Sequence, residues 1–424
     1  MAGTTQVSLI GFLGYDEETA FADVSNAYDK TLTVRDATLD VSGLSQEMID
    51  RGGVFNRPND GDLHIPGPHT GATFTFTMDL YGHGSATNGS LTEQPITRLL
   101  GHCVGQSIDS QVGGSCTSNS GGADDIISTN VTVSAGGLLR VGALNDGRGN
   151  GQAVATDDTA GATYDLLTNM NAAANSGDVI YAMQLVAPDD TTTNAHLTSS
   201  GAAVNSTLRF VVATGTQQFV LRGCACTALS FDGLNTADIP TVTFTFSCAF
   251  WDDIDVTFPT TTATADNAAS VVSNGSFFIQ DFGTSTRNVE VIRNFSMSLE
   301  NEILPITGPG GANDKQVIVG WVRGMSRPTI TFDTEAQDAT TTPTWSNYFD
   351  TDPNSQVFKH ALYTLSVTDG RALALYFRKL RPSGARPTLV DVDGLHYVRA
   401  TFEGVSNASA TTALLRAPWV LGLG

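Results

Sequence analysis

Charge is what this sequence has least of. Only 15% of its 424 residues are Asp, Glu, Lys or Arg, against roughly 25% in an average soluble domain. Lysine occurs only at Lys30, Lys315, Lys359 and Lys379. The surface must then be built largely from Thr, Ser, Asn and Gly. Such surface suits burial against neighbours, because Lys and Glu are costly to desolvate and are depleted from interface cores. What charge there is runs one way: 43 acids against 22 Lys and Arg leave a net −21. Affinity for nucleic acid comes from phosphate neutralisation, so a chain this acidic is a poor candidate for gripping DNA or RNA. Acidity also serves solubility and adaptation to a salty medium.

Cysteine is sparse too. The five, Cys103, Cys116, Cys224, Cys226 and Cys248, are odd in number and few for the length, which excludes a dense disulfide framework. No stretch reaches the ~18 apolar residues of a membrane-spanning helix, so no membrane is expected among the partners. The opening MAGTTQVSLIGFLGYDEET has no basic n-region, and Gly11 and Gly14 break its apolar run. It does not match a secretory signal, and synthesis in the cytoplasm is expected.

Catalytic signatures are missing as well: there is no G-x-S-x-G, P-loop or H-E-x-x-H. The seven histidines are scattered at 64, 69, 83, 102, 196, 360 and 396. Only His64 and His69 are close, and Pro66 and Pro68 between them point to an extended loop. Cys224 and Cys226, two apart, share a strand face. A C-x-C without a second pair or a nearby His is weak for zinc, and small buried packing residues account for it better. His102-Cys103 would join a site only through the fold. Asn145–Asn150 (NDGRGN) lacks the carboxylate alternation and closing Glu of a calcium loop and reads as a Gly-rich tip. Asp252, Asp253 and Asp255 read as a solvated strand end rather than an acid–base pair. Six N-x-[ST] triplets, among them Asn130-Val-Thr and Asn294-Phe-Ser, carry little meaning without secretion. No catalytic, cofactor-binding or metal-ligating residue is assigned, and neither enzymatic activity nor a cofactor is expected.

What is present is strand pattern. Apolar and polar residues alternate over Thr31–Val41, Thr73–Met78, Asn130–Ser134, Thr241–Phe246, Val289–Leu299, Gln316–Val322, Thr329–Asp333, Ala361–Val367, Ala372–Phe377 and His396–Phe402. Phe, Val, Ile and Thr fill these runs, as suits a pleated, half-buried surface. Helical signals are thin: Leu44–Arg51, ending at Gly52-Gly53, Ala162–Ala174, and Thr92–Leu100, ending at Gly101. Long polar segments separate the runs at Asp109–Asp125, Leu144–Asp158 and Thr260–Asn274. The last is the best linker. It divides the chain into residues 1–259, a linker at 260–274, and residues 275–424. There is no strict short-period repeat, which disfavours solenoids and propellers. The fold class is mostly β, an antiparallel sandwich or barrel with few short helices, and a diverged duplication of one β unit fits the pattern.

The stretch Gly223–Phe250 resembles the strand–turn–strand core of tailed-phage tail tube proteins of the long, non-contractile type. It offers Gly223-Cys224, Leu229-Ser-Phe231, the turn Asp232-Gly233, Ile239-Pro240 and Val242-Thr-Phe244-Thr-Phe246 in that family's order. Val291–Leu299 (VIRNFSMSL), the Gly/Pro loop Gly308–Gly311, Ile318–Asp333 (IVGWVRGMSRPTITFD) and Asp393–Val398 with Phe402 are similar to its later strands. The likeness covers about half of the chain. The chain is much longer than a single-domain tube protein, which leaves one tube domain with inserted domains or two fused tube-like units.

The resemblance implies a structural virion protein that polymerises as stacked homotrimeric or homohexameric rings into the tail tube, the conduit for viral DNA ejection. It implies tape measure, tail terminator and distal tail proteins as partners. Loops such as Asp36–Thr70 would reach the adjacent ring. The lumen wall would be negative and largely free of Lys, so that DNA passes without specific binding. A capsid decoration or baseplate-type β protein is the first alternative. A β-rich carbohydrate-binding protein or enzyme is the second, and would need clustered aromatics and paired carboxylates in a groove.

Overall fold

Alternation of Thr with aromatic residues dictates the architecture, because each strand so patterned must bury one face and solvate the other. A computed structural model describes residues 5–7, 11–22, 28, 30–44, 48–50, 64–66, 71–80, 89–90, 95–108, 112–118, 122–142, 152–160, 163–170, 172–188, 196–197, 207–214, 217–234, 238–252, 274–283, 289–290, 292–309, 316–335, 358–366, 372–383, 388–392, 394–410 and 412–424.

The chain opens with β1 (Thr5–Val7), β2 (Gly11–Glu17), β3 (Lys30–Val34), β4 (Asp36–Asp40), a 3-10 turn at Ser42–Leu44, β5 (Met48–Asp50), β6 (His64–Pro66) and β7 (Ala72–Asp79). A central part holds β8 (Gly89–Ser90), helix α1 (Pro95–Val104), β9 (Gly105–Ile108), β10 (Val112–Ser115), β11 (Asp125–Ile127), β12 (Leu138–Val141), β13 (Gln152–Ala160), β14 (Thr163–Leu166), β15 (Val179–Ala182), β16 (Gln184–Pro188) and β17 (His196–Leu197). Then come β18 (Leu208–Thr214), β19 (Gln217–Asp232) and β20 (Thr241–Asp252). The last part contains β21 (Asn274–Asp281), β22 (Val289–Glu290), β23 (Ile292–Pro309), β24 (Gln316–Glu335), β25 (Lys359–Ser366), β26 (Ala372–Pro382), β27 (Thr388–Val392), β28 (Leu395–Gly404), helix α2 (Ala413–Arg416) and β29 (Val420–Leu423). The protein is mostly β and its ladders are antiparallel, as expected; among the described residues no closed barrel is found.

Strands follow one another across a long sheet in the order β1–β4–β7–β20–β19–β23–β24–β28–β27. Against it packs a second layer, made of β3–β2–β18–β19 and of β22–β21–β25–β26–β29–β16–β9. Strand β19 serves both layers by bending at the register shift between Cys226 and Ala228, the usual effect of a bulge. One apolar core joins the layers and both halves of the chain, running from Leu13, Phe74, Phe76, Phe210, Phe244 and Phe246 to Phe277, Phe295, Phe332, Phe377 and Phe402. Helix α1, opened by Pro95, whose missing N–H costs nothing at that position, adds Ile96, Leu99, Leu100, Cys103 and Val104 to this core.

One unit is built twice. The ladders β2–β3, β2–β18, β18–β19, β4–β7, β7–β20 and β19–β20 recur as β21–β22, β21–β25, β25–β26, β23–β24, β24–β28 and β27–β28. The equivalence carries register. Setting Thr73–Asp79 (TFTFTMD) on Thr329–Glu335 (TITFDTE) superposes Phe74 on Ile330. Their partners then match too, Leu39 with Met297 and Phe246 with Phe402. A separate sheet, β11–β14–β13–β12–β15–β10–β8, is inserted into the first copy, with its own core of Cys116, Ile126, Leu139, Val141, Val154, Tyr164 and Ile180. The chain thus holds both a duplication and an insertion.

Several sequence expectations are corrected. Leu44–Arg51 is not a helix: Met48–Asp50 pairs with His64–Pro66. Ala162–Ala174 is not one either, because Thr163–Leu166 finds ladder partners on both sides, in β11 and β13. Tertiary pairing outweighs a weak helical spacing. The third expected helix forms, but over Pro95–Val104 and through Gly101. Asn130–Ser134 makes a single bridge, Val112 to Thr132, and no strand. The polar stretches Asp109–Asp125 and Leu144–Asp158 contribute β10 and most of β13. Gln316–Val322 and Thr329–Asp333 are one strand, β24. Of the expected linker all but Asn274 lies outside the described residues, as does most of Asp36–Thr70 beyond β4.

The core makes a direct prediction. Phe76 is fully buried and its ring lies 5.1 Å from Phe244, 5.9 Å from Phe246 and 5.9 Å from Phe210. Phe76→Ala should destabilise the fold by about 3–5 kcal/mol. Urea unfolding would show a lowered midpoint at an unchanged slope.

Candidate functional site

The side of the long sheet turned away from the core is one continuous polar surface. Its register can be read strand by strand. Asp36 pairs with Thr77, Thr77 with Thr243, Thr243 with Ser230, Ser230 with Ser298, Ser298 with Thr329, and Thr329 with Glu403. The adjacent row runs Thr38, Thr75, Thr245, Ala228, Glu300, Arg327. Between these positions Leu39, Phe74, Phe76, Phe244, Phe246, Leu229, Phe231, Met297, Leu299, Ile330, Phe332 and Phe402 point the other way and are buried. Hydroxyls satisfy one another across strands: Thr77 to Thr243 at 2.9 Å, Thr331 to Thr401 at 3.2 Å, Thr75 to Thr245 at 3.4 Å.

This face carries the carboxylates Asp36, Asp40, Asp79, Asp232, Glu300, Asp333 and Glu403 and the cations Arg35, Arg327, Arg381 and Arg399. Arg399 holds Asp333 with two bonds, 2.7 and 2.8 Å, and Asn294 Nδ2 donates to it at 2.7 Å. Burial alone would push that carboxyl up, but Arg399 and Asn294 keep it below the usual carboxylate range. Arg381 donates to Glu403 at 2.7 Å, and Arg35 pairs with Asp79. Most of the positive charge is therefore consumed by acids on the same face. Lys30 pairs with Asp16, Lys359 with Asp281, and Lys379 lies over Phe358. The described lysines are thus off this face.

The five cysteines, His102 and His360 lie elsewhere and make structural contacts. Cys224 is cross-strand from Cys248, Cys226 lies beside Cys103, and all five thiols are free and buried. Burial pushes the thiols of Cys103 and Cys224 well up, which makes them neutral and poor ligands. Among the described residues no group of three or more His, Cys, Asp or Glu could hold a metal ion. His102, with Arg98, pins α1 to the end of β2: Glu17 accepts from Arg98 Nε at 2.5 Å and lies 2.9 Å from His102 Nε2. Burial lowers the His102 pKa against the pull of Glu17. His360 Nδ1 lies 3.3 Å from the Tyr376 hydroxyl. Asn145–Asn150, His69, His83, Asp253 and Asp255 lie outside the described residues. Among the described residues no helix is long and apolar enough to cross a membrane.

Sequence reading found the Thr-x-Thr strands but not their alignment into rows. The only signal was the shared period of Thr73–Thr77, Thr241–Thr245 and Thr329–Thr331. The chain matches no protein-family model and no curated protein sequence.

Glu18 is the exceptional buried acid, 2% exposed. It accepts from Gly223 N at 2.8 Å, Ala22 N at 3.0 Å and the Thr207 hydroxyl. Burial nevertheless raises its pKa from 4.5 to about 7. A folded-state pKa above the unfolded one means the native state holds the proton longer. The contribution of Glu18 is then fully present below about 4.5 and lost as pH rises through about 7. Glu18→Gln should flatten the fall in stability over that window, measured as urea midpoints at successive pH values.

Proposed function

We propose that this protein is a non-enzymatic structural subunit of a viral tail tube. In this reading it is made in the host cytoplasm, assembles with copies of itself into stacked rings, and lines the conduit for viral DNA. The observation that carries the reading is the duplicated unit. Each copy contributes strands in the same order, β4–β7–β20–β19 and β23–β24–β28–β27, and the two copies join head to tail through β19 and β23. A head-to-tail contact repeated by rotation closes into a ring, and closure removes the exposed strand edges that an open sheet must otherwise protect. Three chains supply six units, so a homotrimer takes the place of a six-unit ring. Tape measure, terminator and distal tail proteins are the partners this assignment implies.

The polar face suits a channel wall. Its threonine and serine rows offer DNA no lysine, and most of its arginines are already paired with Asp79, Asp333 and Glu403. Passing DNA would have few free cations against which to release its counterions, and so would not stick.

Negative-stain microscopy of the purified protein should show stacked rings or tubes with a central channel; closed cages or persistent monomers would overturn the assignment. In assembled protein, Thr243→Lys with Ser298→Lys should create salt-sensitive retention of double-stranded DNA that the parent lacks. Unchanged retention at low salt would place this face away from the channel.

A further inference from the structure

The two ends of the long sheet are not equally finished. At one end β27 pairs only with β28 among the described residues, and its Leu389 is 59% exposed. At the other end β1 lies along β4, with Thr5 opposite Leu39, Gln6 opposite Thr38 and Val7 opposite Ala37.

The internal repeat says what each edge is built to meet. Phe231 and Leu389 are equivalent, since both pair with the valine of their hairpin, Val242 or Val398. Ser230 and Thr388 are equivalent in the same way. On the other side Leu39 corresponds to Met297 and Asp40 to Ser298. Within the chain the junction is formed: Phe231 opposite Met297 and Ser230 opposite Ser298, antiparallel. Phe231 is fully buried there. Leu389 occupies the same position in its own unit and is exposed, with no strand beyond β27 among the described residues.

Resting on the reading of the protein as a ring-forming subunit, we propose that β27 of one copy adds to the β4 edge of a second copy in the register of the β19–β23 junction, displacing β1. Leu389 then faces Leu39 of the next copy, and Thr388 faces Asp40. Strand β1 runs antiparallel to β4, the direction the incoming β27 must take. It holds the same backbone groups, with Thr5 standing where Leu389 would stand. It is a like-for-like plug. It satisfies the β4 ladder in the free subunit and keeps an adhesive edge covered, and it yields to a strand that also buries a leucine.

The test uses full-length protein carrying Asp40→Cys and Thr388→Cys, oxidised under air with copper-phenanthroline. Each link forms one S–S bond, and two thiols pass two electrons and two protons to dioxygen. Both positions are exposed, and facing residues of an antiparallel pair have Cα atoms about 4.5–5.5 Å apart, within disulfide reach. Covalent multimers are expected from the double variant, and none from either single variant or from Asp36→Cys with Thr388→Cys. Removal of residues 1–7 should speed assembly and raise the cross-linked fraction. Leu389→Asp should abolish sedimentable assemblies while the monomer melts as the parent does.

Tubes without the 40–388 link overturn the seam and leave the tube reading standing. The link inside cages or flat arrays keeps the seam and overturns the tube. Loss of both assembly and link on removing residues 1–7 overturns displacement, since β1 would then be part of the seam.

Discussion

The structure depends on a short antiparallel ladder in which Ala228–Phe231 of β19 meets Met297–Glu300 of β23. That ladder fuses two copies of one β unit into a single sheet. Leu229 and Leu299, facing each other across it, put both units into one core. The bend of β19 at Cys226 and Ala228 makes the ladder accessible, because the same strand must leave the second layer to reach it. Asn301 reinforces the join, its side-chain amide donating to the carbonyls of Cys103 at 2.9 Å and Cys226 at 3.1 Å. Arg323 donates to the carbonyl of His102 at 2.8 Å, which ties helix α1 to the second unit.

Gly223 shows how little slack this region has. It adopts φ +61° beside the bend, and a Cβ there would sit 3.0 Å from that of Ala249 and 3.1 Å from the Phe21 ring. Its N–H goes to Glu18 and its carbonyl accepts from Trp321 Nε1 at 2.7 Å. A left-handed conformation and a crowded side both favour glycine. One backbone position thus links an acid near β2, the bent strand and the second unit.

The scarcity of charge has a structural counterpart in the polar face. A row of hydroxyls can be satisfied laterally, strand to strand, at little cost when another surface approaches. A row of lysines would have to be desolvated or paired. The carboxylates that remain are partly neutralised on the same face, and elsewhere the half-buried pair of Glu17 and Arg98, with the buried His102 beside it, fastens α1 to β2.

By itself the sequence determined the strands that alternate most strongly, Thr73–Met78, Thr241–Phe246 and His396–Phe402, because period-2 burial of Phe and Val is a local property that any partner strand would respect. The tertiary structure alone decided which strand lies beside which. Thr163–Leu166 became a strand through its neighbours, Leu44–Arg51 gave way to a hairpin, and the two halves proved to be one unit repeated, with Phe244 replaced by Ala400 and Phe231 by Leu389. Such substitutions erase the repeat from the sequence while keeping its register, because a ladder is held by backbone hydrogen bonds that do not depend on which apolar side chain fills the core.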